Sequence, residues 1–124
     1  MKMKILIVED DPMVAHIHKH YLDALKNFEI VNVIDNGVSA YDFIKSNEAL
    51  IDLVILDVHM PKMNGLDLLK KLREDGSKIS VIPITAINDN QTISEFLNLG
   101  IVDYLVKPFT QERFNQAVMK CELK

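Results

Sequence analysis

The 124-residue sequence contains one cysteine, four glycines and four prolines. A single cysteine, Cys121, excludes a disulfide framework and a four-cysteine zinc site, and points to a reducing compartment. The glycines are scattered, so there is no glycine-rich loop to cradle a phosphate. No apolar run approaches the roughly 20 residues that cross a bilayer. The N-terminus, Met1-Lys2-Met3-Lys4, runs straight into a strand-like segment, without the long apolar region and small-residue cleavage site of a signal peptide. Basic charge is also short: 14 Lys and Arg stand against 18 Asp and Glu, for a net charge of -4. No basic stripe is visible, which argues against direct binding of nucleic acid by this chain. There is no low-complexity segment or linker. The expectation is one cytoplasmic domain over residues 1–124 that makes no membrane contact.

What is present is an alternation of strand-like and helix-like patterns. Ile5-Leu6-Ile7-Val8 and Leu53-Val54-Ile55-Leu56 are continuous apolar runs, the mark of strands buried on both faces. Further strands are expected over Glu29–Ile34, Ile79–Thr85 and Tyr104–Val106. Between them lie helical patterns. The first starts at Asp11-Pro12, an N-cap followed by proline at the first helical position, with Val14, Ile17, Tyr21, Leu22 and Leu25 at helical spacing. Asp35-Asn36-Gly37 reads as a turn, followed by a helix marked by Ala40, Phe43 and Ile44. Asn64 caps a third helix carrying Leu66, Leu69 and Leu72 and ending near Gly76. A fourth runs from Asn88 to Gly100 with Ile93, Phe96 and Leu97 inward. Phe114, Ala117, Val118 and Cys121 mark one face of a fifth. Five β-α units in succession predict an α/β fold, a parallel sheet with helices on both faces. Pro83 conflicts with its strand, because proline cannot donate to a ladder; a local break in the ladder is expected there.

Ligands of open α/β sheets bind beyond the carboxyl ends of the strands. Those ends carry Glu9, Asp10 and Asp11, then Asp57, then Thr85, then Lys107-Pro108. Asp11 is accounted for as a helix cap. Glu9, Asp10 and Asp57 would converge, and crowded carboxylates oppose one another unless a hard cation such as Mg²⁺ sits among them. Lys107 is pinned between a strand and a proline, within reach of the acids, where its ammonium can pair with a carboxylate or phosphoryl oxygen. Thr85 adds a hydroxyl at the same rim.

Ile5–Pro12 (ILIVEDDP), Leu56–Gly65 (LDVHMPKMNG), Thr85-Ala86 and Tyr104–Phe109 (YLVKPF) together resemble the receiver domain of bacterial two-component response regulators, over about Lys4 to Met119. Val8–Val14 and Phe109–Phe114 are most similar to its citrate/malate-type, dicarboxylate-responsive branch. The resemblance implies a three-layer, flavodoxin-like, doubly wound (βα)5 domain with strand order 2-1-3-4-5. It implies that Asp57 is the phosphoacceptor, supplied by a phosphohistidine on a sensor histidine kinase. Asp10 would bind Mg²⁺ (or Mn²⁺) directly, Glu9 through a metal-bound water, and His59 through its backbone carbonyl. Lys107 would pair with the acyl phosphate, and Thr85 would hydrogen-bond the phosphoryl oxygen while Tyr104 rotates in response. The Lys107-Pro108 bond would be cis. A homodimer on activation, and DNA binding through a C-terminal output domain of a longer protein, are also implied. The alternative is a stand-alone receiver that acts by docking to a protein.

Two readings of other classes compete. An aspartate-nucleophile phosphatase would need a second acid two residues past Asp57, where this chain has His59. A flavin-binding module would place the flavin phosphate against Glu9, Asp10 and Asp11, which would repel it. The remaining signals read as structural. His16, His18 and His20 read as a solvated helix face, Cys121 as a packing residue, and Met60 and Met63 as packing around the Asp57 loop.

Overall fold

The computed structural model describes residues 2–86 and 89–122. Strands β1 (Met3–Val8), β2 (Phe28–Ile34), β3 (Leu53–Asp57), β4 (Val81–Thr85) and β5 (Leu105–Val106) alternate with helices α1 (Pro12–Asp23), α2 (Gly37–Asn47), α3 (Gly65–Glu74), α4 (Asn90–Leu99) and α5 (Gln111–Glu122). All strand pairs are parallel, in the order β2-β1-β3-β4-β5. The expected α/β architecture and strand order are therefore observed.

The continuous apolar runs are explained by two cores of opposite parity, since successive strand side chains point to opposite faces. Ile5, Ile7, Leu53, Ile55, Ile82 and Ile84 face Ala15 and Leu22 of α1 and Phe114, Ala117, Val118 and Cys121 of α5. Leu6, Val8, Val54, Leu56 and Val81 face Ala40 and Ile44 of α2, Leu68, Leu69 and Leu72 of α3, and Phe96 of α4. Both faces are covered, so every polar group of functional interest is pushed to a sheet end.

The helix starts follow from local chemistry. Asp11 accepts from the amides of Met13 (2.9 Å) and Val14, with Pro12 in the first turn. Asn64 accepts from the amide of Asp67 at 2.9 Å. Asp35-Asn36-Gly37 is more than a turn: Asn36 is the N-cap of α2, accepting from Ser39 N at 2.8 Å.

Several expectations need correction. The buried stripe of α1 is Ala15, His18 and Leu22, and Ile17 faces solvent. His18 is therefore no part of a solvated face. It is 2% exposed, with its ring 5.9 Å from that of Phe109 and 5.7 Å from that of Phe114. Burial, with Lys107 adding to it, lowers its pKa to about 4. On α4, Leu97 is 56% exposed. This helix buries a narrow stripe centred on Phe96, with Ile93 and Leu99 partly covered three residues to either side, and Leu97 lies off that stripe. The expected start of this helix at Asn88 lies outside the described residues. β5 excludes Tyr104, and β4 begins at Val81, with Ile79 buried just before it.

Pro83 lies inside a central strand, in unbroken register with β3 through Leu56. The carbonyls of Val81 and Thr85 turn toward β5, accepting from Val102 N (3.1 Å) and Lys107 N (2.9 Å). Strand alternation puts Pro83 on that same side, where β5 is only two residues long. The missing donor is thus placed against the weakest neighbour.

Arg73 of α3 ties the far end of α4 to the body of the domain. Its guanidinium donates to the carbonyls of Leu99 (3.0 Å), Ser77 (3.1 Å), Ile79 (2.8 Å) and Gly100 (2.8 Å). Replacing it with a shorter, unbranched apolar chain strips four carbonyls of a charged donor. Arg73→Met is expected to lose about 2–3 kcal/mol of stability in urea titration. A loss within about 0.5 kcal/mol, as for an ordinary surface substitution, would contradict this role.

Candidate functional site

The sheet topology brings together residues far apart in sequence. β1 and β3 are neighbours in the register Val8↔Leu56, so Glu9 emerges beside Asp57. β3 and β4 run Asp57↔Ile84, which puts Thr85 one step beyond. Lys107 follows β5 and is held to the β4 end by the hydrogen bond its backbone amide donates to the Thr85 carbonyl, and the Lys107-Pro108 peptide is cis. Carboxylate oxygens of Glu9, Asp10 and Asp57 all lie within 4.8 Å of one another. The ammonium of Lys107 stands 3.5 Å from Asp57 Oδ1. The expected convergence of three acids and one lysine is therefore present, and Asp11 is spent on capping α1.

The acids differ in exposure. Glu9 and Asp57 are each 3% exposed, whereas Asp10 is open to solvent. Glu9 Oε2 accepts from Asp11 N at 3.2 Å. Its other oxygen, and Asp57 Oδ1, are buried without a hydrogen-bond partner among the described residues. Burial is the largest influence on Glu9; the Asp11 amide opposes it, the neighbouring Asp57 charge adds to it, and the pKa rises to about 8. Burial likewise raises Asp57, against the pull of Lys107. Without a cation the pair thus keeps a proton on Glu9 near neutral pH. Two buried carboxylate oxygens that make no hydrogen bond, one of them only ion-paired to Lys107, beside a third, exposed carboxylate are the donor set a hard divalent cation takes.

The remaining site residues surround this cluster. Thr85 is fully buried and its hydroxyl donates to the Leu105 carbonyl at a long 3.4 Å, so it is only weakly held. His59 presents its side chain to solvent. Met60 and Met63 are half-buried against the α2–α3 core, as expected. Tyr104 is half-buried just before β5.

Sequence reasoning missed what holds that last segment. Arg113 makes a two-pronged bond to Asp103 (2.8 and 3.0 Å) and donates to the Tyr104 carbonyl (2.9 Å), while Lys120 reaches Asp103 at 2.9 Å. Burial would raise the Asp103 pKa, but hydrogen bonds from Arg113 and Lys120 outweigh it and hold it at about 2. Arg113 and Lys120 are seven residues apart on one helix face, a spacing that could have drawn attention to them. The role of Gly65 was also unread. A Cβ there would stand 2.6 Å from the Asp57 carbonyl, so only glycine lets α3 start this close to β3.

A doubly wound parallel sheet with a carboxylate cluster and a lysine at its carboxyl edge defines a flavodoxin-like domain with its chemistry at the strand ends. The response regulator receiver domain family matches residues 5–119, and the chain belongs to that family. It is 39% identical over 120 residues to the probable C4-dicarboxylate response regulator DctR of Halalkalibacterium halodurans, covering 97% of this chain and 51% of that protein. It is 41% identical to the transcriptional regulatory protein MalR of Bacillus subtilis, covering 94% and 48%. The chain thus spans about half the length of the curated relatives it matches. Among solved structures, it is similar to the CheX-CheY-BeF3-Mg+2 complex from Borrelia burgdorferi, with TM-score 0.90 and 29% identity over 98% of this chain and 90% of that one. It is also similar to the signal receiver domain of a putative Luxo repressor protein from Vibrio parahaemolyticus, at TM-score 0.88 and 27% identity over 99% and 92%. Receiver domains are signalling domains rather than classical enzymes. Among the described residues, no helix is long and apolar enough to cross a membrane.

The raised Glu9 pKa has a definite sign in stability. A group whose folded pKa, about 8, exceeds its ordinary 4.5 binds more protons folded than unfolded. Its stabilisation is full below 4.5 and is lost as pH rises through 8. The lowered pKa of His18 acts oppositely but only between about 4 and 6.5, because above that its ring is neutral in both states. In metal-free buffer, stability is therefore expected to fall by about 2 kcal/mol between pH 6.5 and 8. Glu9→Gln should flatten that decline. Urea unfolding at several pH values reads it, and a stability that rises over this interval would overturn the assignment.

Proposed function

We propose that this chain is the phosphoacceptor domain of a two-component response regulator, taking a phosphoryl group from a sensor histidine kinase onto Asp57. The observation that carries this reading is the buried Asp57 carboxylate, set among Glu9, Asp10 and Lys107 at the distances given above. Glu9, Asp10 and Asp57 would hold Mg²⁺ (or Mn²⁺), with the His59 backbone carbonyl as a further oxygen. When bound, the ion supplies positive charge against the phosphoryl oxygens. The chain's own residues do the rest. One oxygen of the Asp57 carboxylate attacks phosphorus in line as the phosphorus–nitrogen bond of the phosphohistidine breaks; the electron pair of that bond leaves with the imidazole. The Lys107 ammonium offsets charge on the acyl phosphate.

Thr85 is the reporter of occupancy. Its long bond to Leu105 is readily exchanged for one to a phosphoryl oxygen, and Tyr104, next to that carbonyl, then shifts the face formed by α4, β5 and α5. The domain assists its own phosphorylation and dephosphorylation and turns over no external substrate. Residues 1–124 form one such domain, working in the cytoplasm. The names of its relatives support control of transcription in response to a dicarboxylate, through a C-terminal DNA-binding domain of a longer protein, with a homodimer forming on activation. A small phosphodonor replaces the kinase in the test. Incubation with acetyl phosphate and Mg²⁺ is expected to add one phosphoryl mass, and chelation or Asp57→Asn to prevent it. Mg²⁺ should also stabilise the protein more at pH 8 than at pH 6.5. A wild-type mass unchanged by the phosphodonor would sink the proposal.

A further inference from the structure

The loop that follows Asp57 is fastened at two points, its C-terminal end and Met63. At its C-terminal end Gly65 lies against the Asp57 carbonyl, and the amide of Gly65 donates to Val58 O at 2.8 Å. Within the loop Lys62 takes a left-handed backbone conformation (φ 69°), and Met63 N turns back to Pro61 O at 2.8 Å. The fold thereby presents the backbone of Met63 to the first turn of α2. There it meets Gly37. A Cβ added to Gly37 would stand 2.6 Å from Met63 Cβ, 2.8 Å from its carbonyl carbon, and closer still to its carbonyl oxygen. The intruded atoms are mostly backbone, so a rotamer change cannot relieve the overlap.

Gly37 is itself held firmly. It follows Asn36, which is buried, caps α2 through Ser39 N and donates to Asp35 Oδ1 at 2.9 Å. That turn begins where β2 ends, and the carbonyl of Ile34 there accepts from the amide of Glu9 at 2.9 Å. One short connection thus touches the β1 end of the acid cluster and the loop that leaves Asp57 at the β3 end. It bonds to the strand end that carries Glu9 and Asp10, and it seats the loop that carries His59.

We propose that Gly37 is a positioning residue for the phosphoacceptor site: its bare α-carbon lets Met63 seat against α2, and this seat sets where the Asp57 loop lies relative to Glu9 and Asp10. The proposal rests on the phosphoacceptor reading of Asp57. With alanine at position 37 the loop must retreat by about 1 Å, a misplacement that costs a preorganised site about 10²-fold in rate. The loop cannot retreat freely toward β3, because Gly65 is packed there with no more room.

The test compares Gly37→Ala with Gly76→Ala. Gly76, unlike Gly37, has a positive φ (89°), so alanine strains it, but among the described residues no atom beyond its chain neighbours lies within 4 Å of the added carbon, and it sits at the opposite end of α3. Both variants are expected to lose stability. At a temperature where both are fully folded by circular dichroism, only Gly37→Ala should weaken Mg²⁺ binding, and its phosphorylation by acetyl phosphate should slow by about 10²-fold. If Gly37→Ala does not fold, Asn36→Ala, which loosens the same turn, should slow phosphorylation in the same direction while Gly76→Ala leaves it unchanged. Phosphorylation and Mg²⁺ affinity that follow lost stability equally in both glycine variants would overturn the positioning role. A wild-type protein that takes no phosphoryl group would instead refute the reading of Asp57 on which it rests.

Discussion

Everything at the functional end of this domain depends on keeping three carboxylates within 4.8 Å of one another while two of them are almost sealed from water. Water cannot screen Glu9 and Asp57 there, and a single lysine at 3.5 Å from Asp57 only partly offsets the charge. The protein bears this because the rest of the sheet is committed. β1 and β3 are locked in register between two apolar layers, so their ends cannot splay apart to relieve the repulsion. A proton on Glu9 is one relief, and a divalent cation is the other. The conflict makes the site receptive to positive charge, and a phosphoryl group adds to the same electrostatic ledger.

The sheet also determines how such a change would travel. β4 is firmly paired to β3 but only briefly to β5, and Pro83 withholds one more donor on the β5 side. Thr85 sits at this soft boundary, fully buried and held by a long bond. The segments flanking it are anchored more strongly. Arg73 ties the end of α4, through the Leu99 and Gly100 carbonyls, to the segment before β4, through those of Ser77 and Ile79, and Asp103, Arg113 and Lys120 hold the chain entering β5. A loosely held reporter between two clamped segments is suited to switching between discrete arrangements.

The architecture was legible because the strongest sequence signals are also the physically dominant ones. Continuous apolar runs such as Ile5–Val8 admit little besides a strand covered on both faces, and five such units demand a parallel sheet. The acids at the strand ends were legible because topology gathers those ends whatever the intervening helices do. What escaped was tertiary in origin. His18 reads as polar, yet Phe109 and Phe114 from a distant segment bury its ring. Leu97 reads as apolar, yet α4 meets the core only around Phe96, and nothing local marks which side is covered. Gly37 and Gly65 look like ordinary turn residues until the backbone they admit is seen, 26 residues away for Gly37. Pro83 predicted a broken ladder because sequence does not tell which neighbour a strand residue faces.

The central claim is that chemistry occurs on one carboxylate, that of Asp57. Borohydride reduces an acyl phosphate to an alcohol, so reduction of the acetyl phosphate-treated protein followed by peptide sequencing by mass spectrometry marks the modified residue. The account predicts homoserine at position 57 and at no other acid, and only when Mg²⁺ was present. Reduction at Glu9 or Asp10, or modification that persists without a divalent cation, would contradict it.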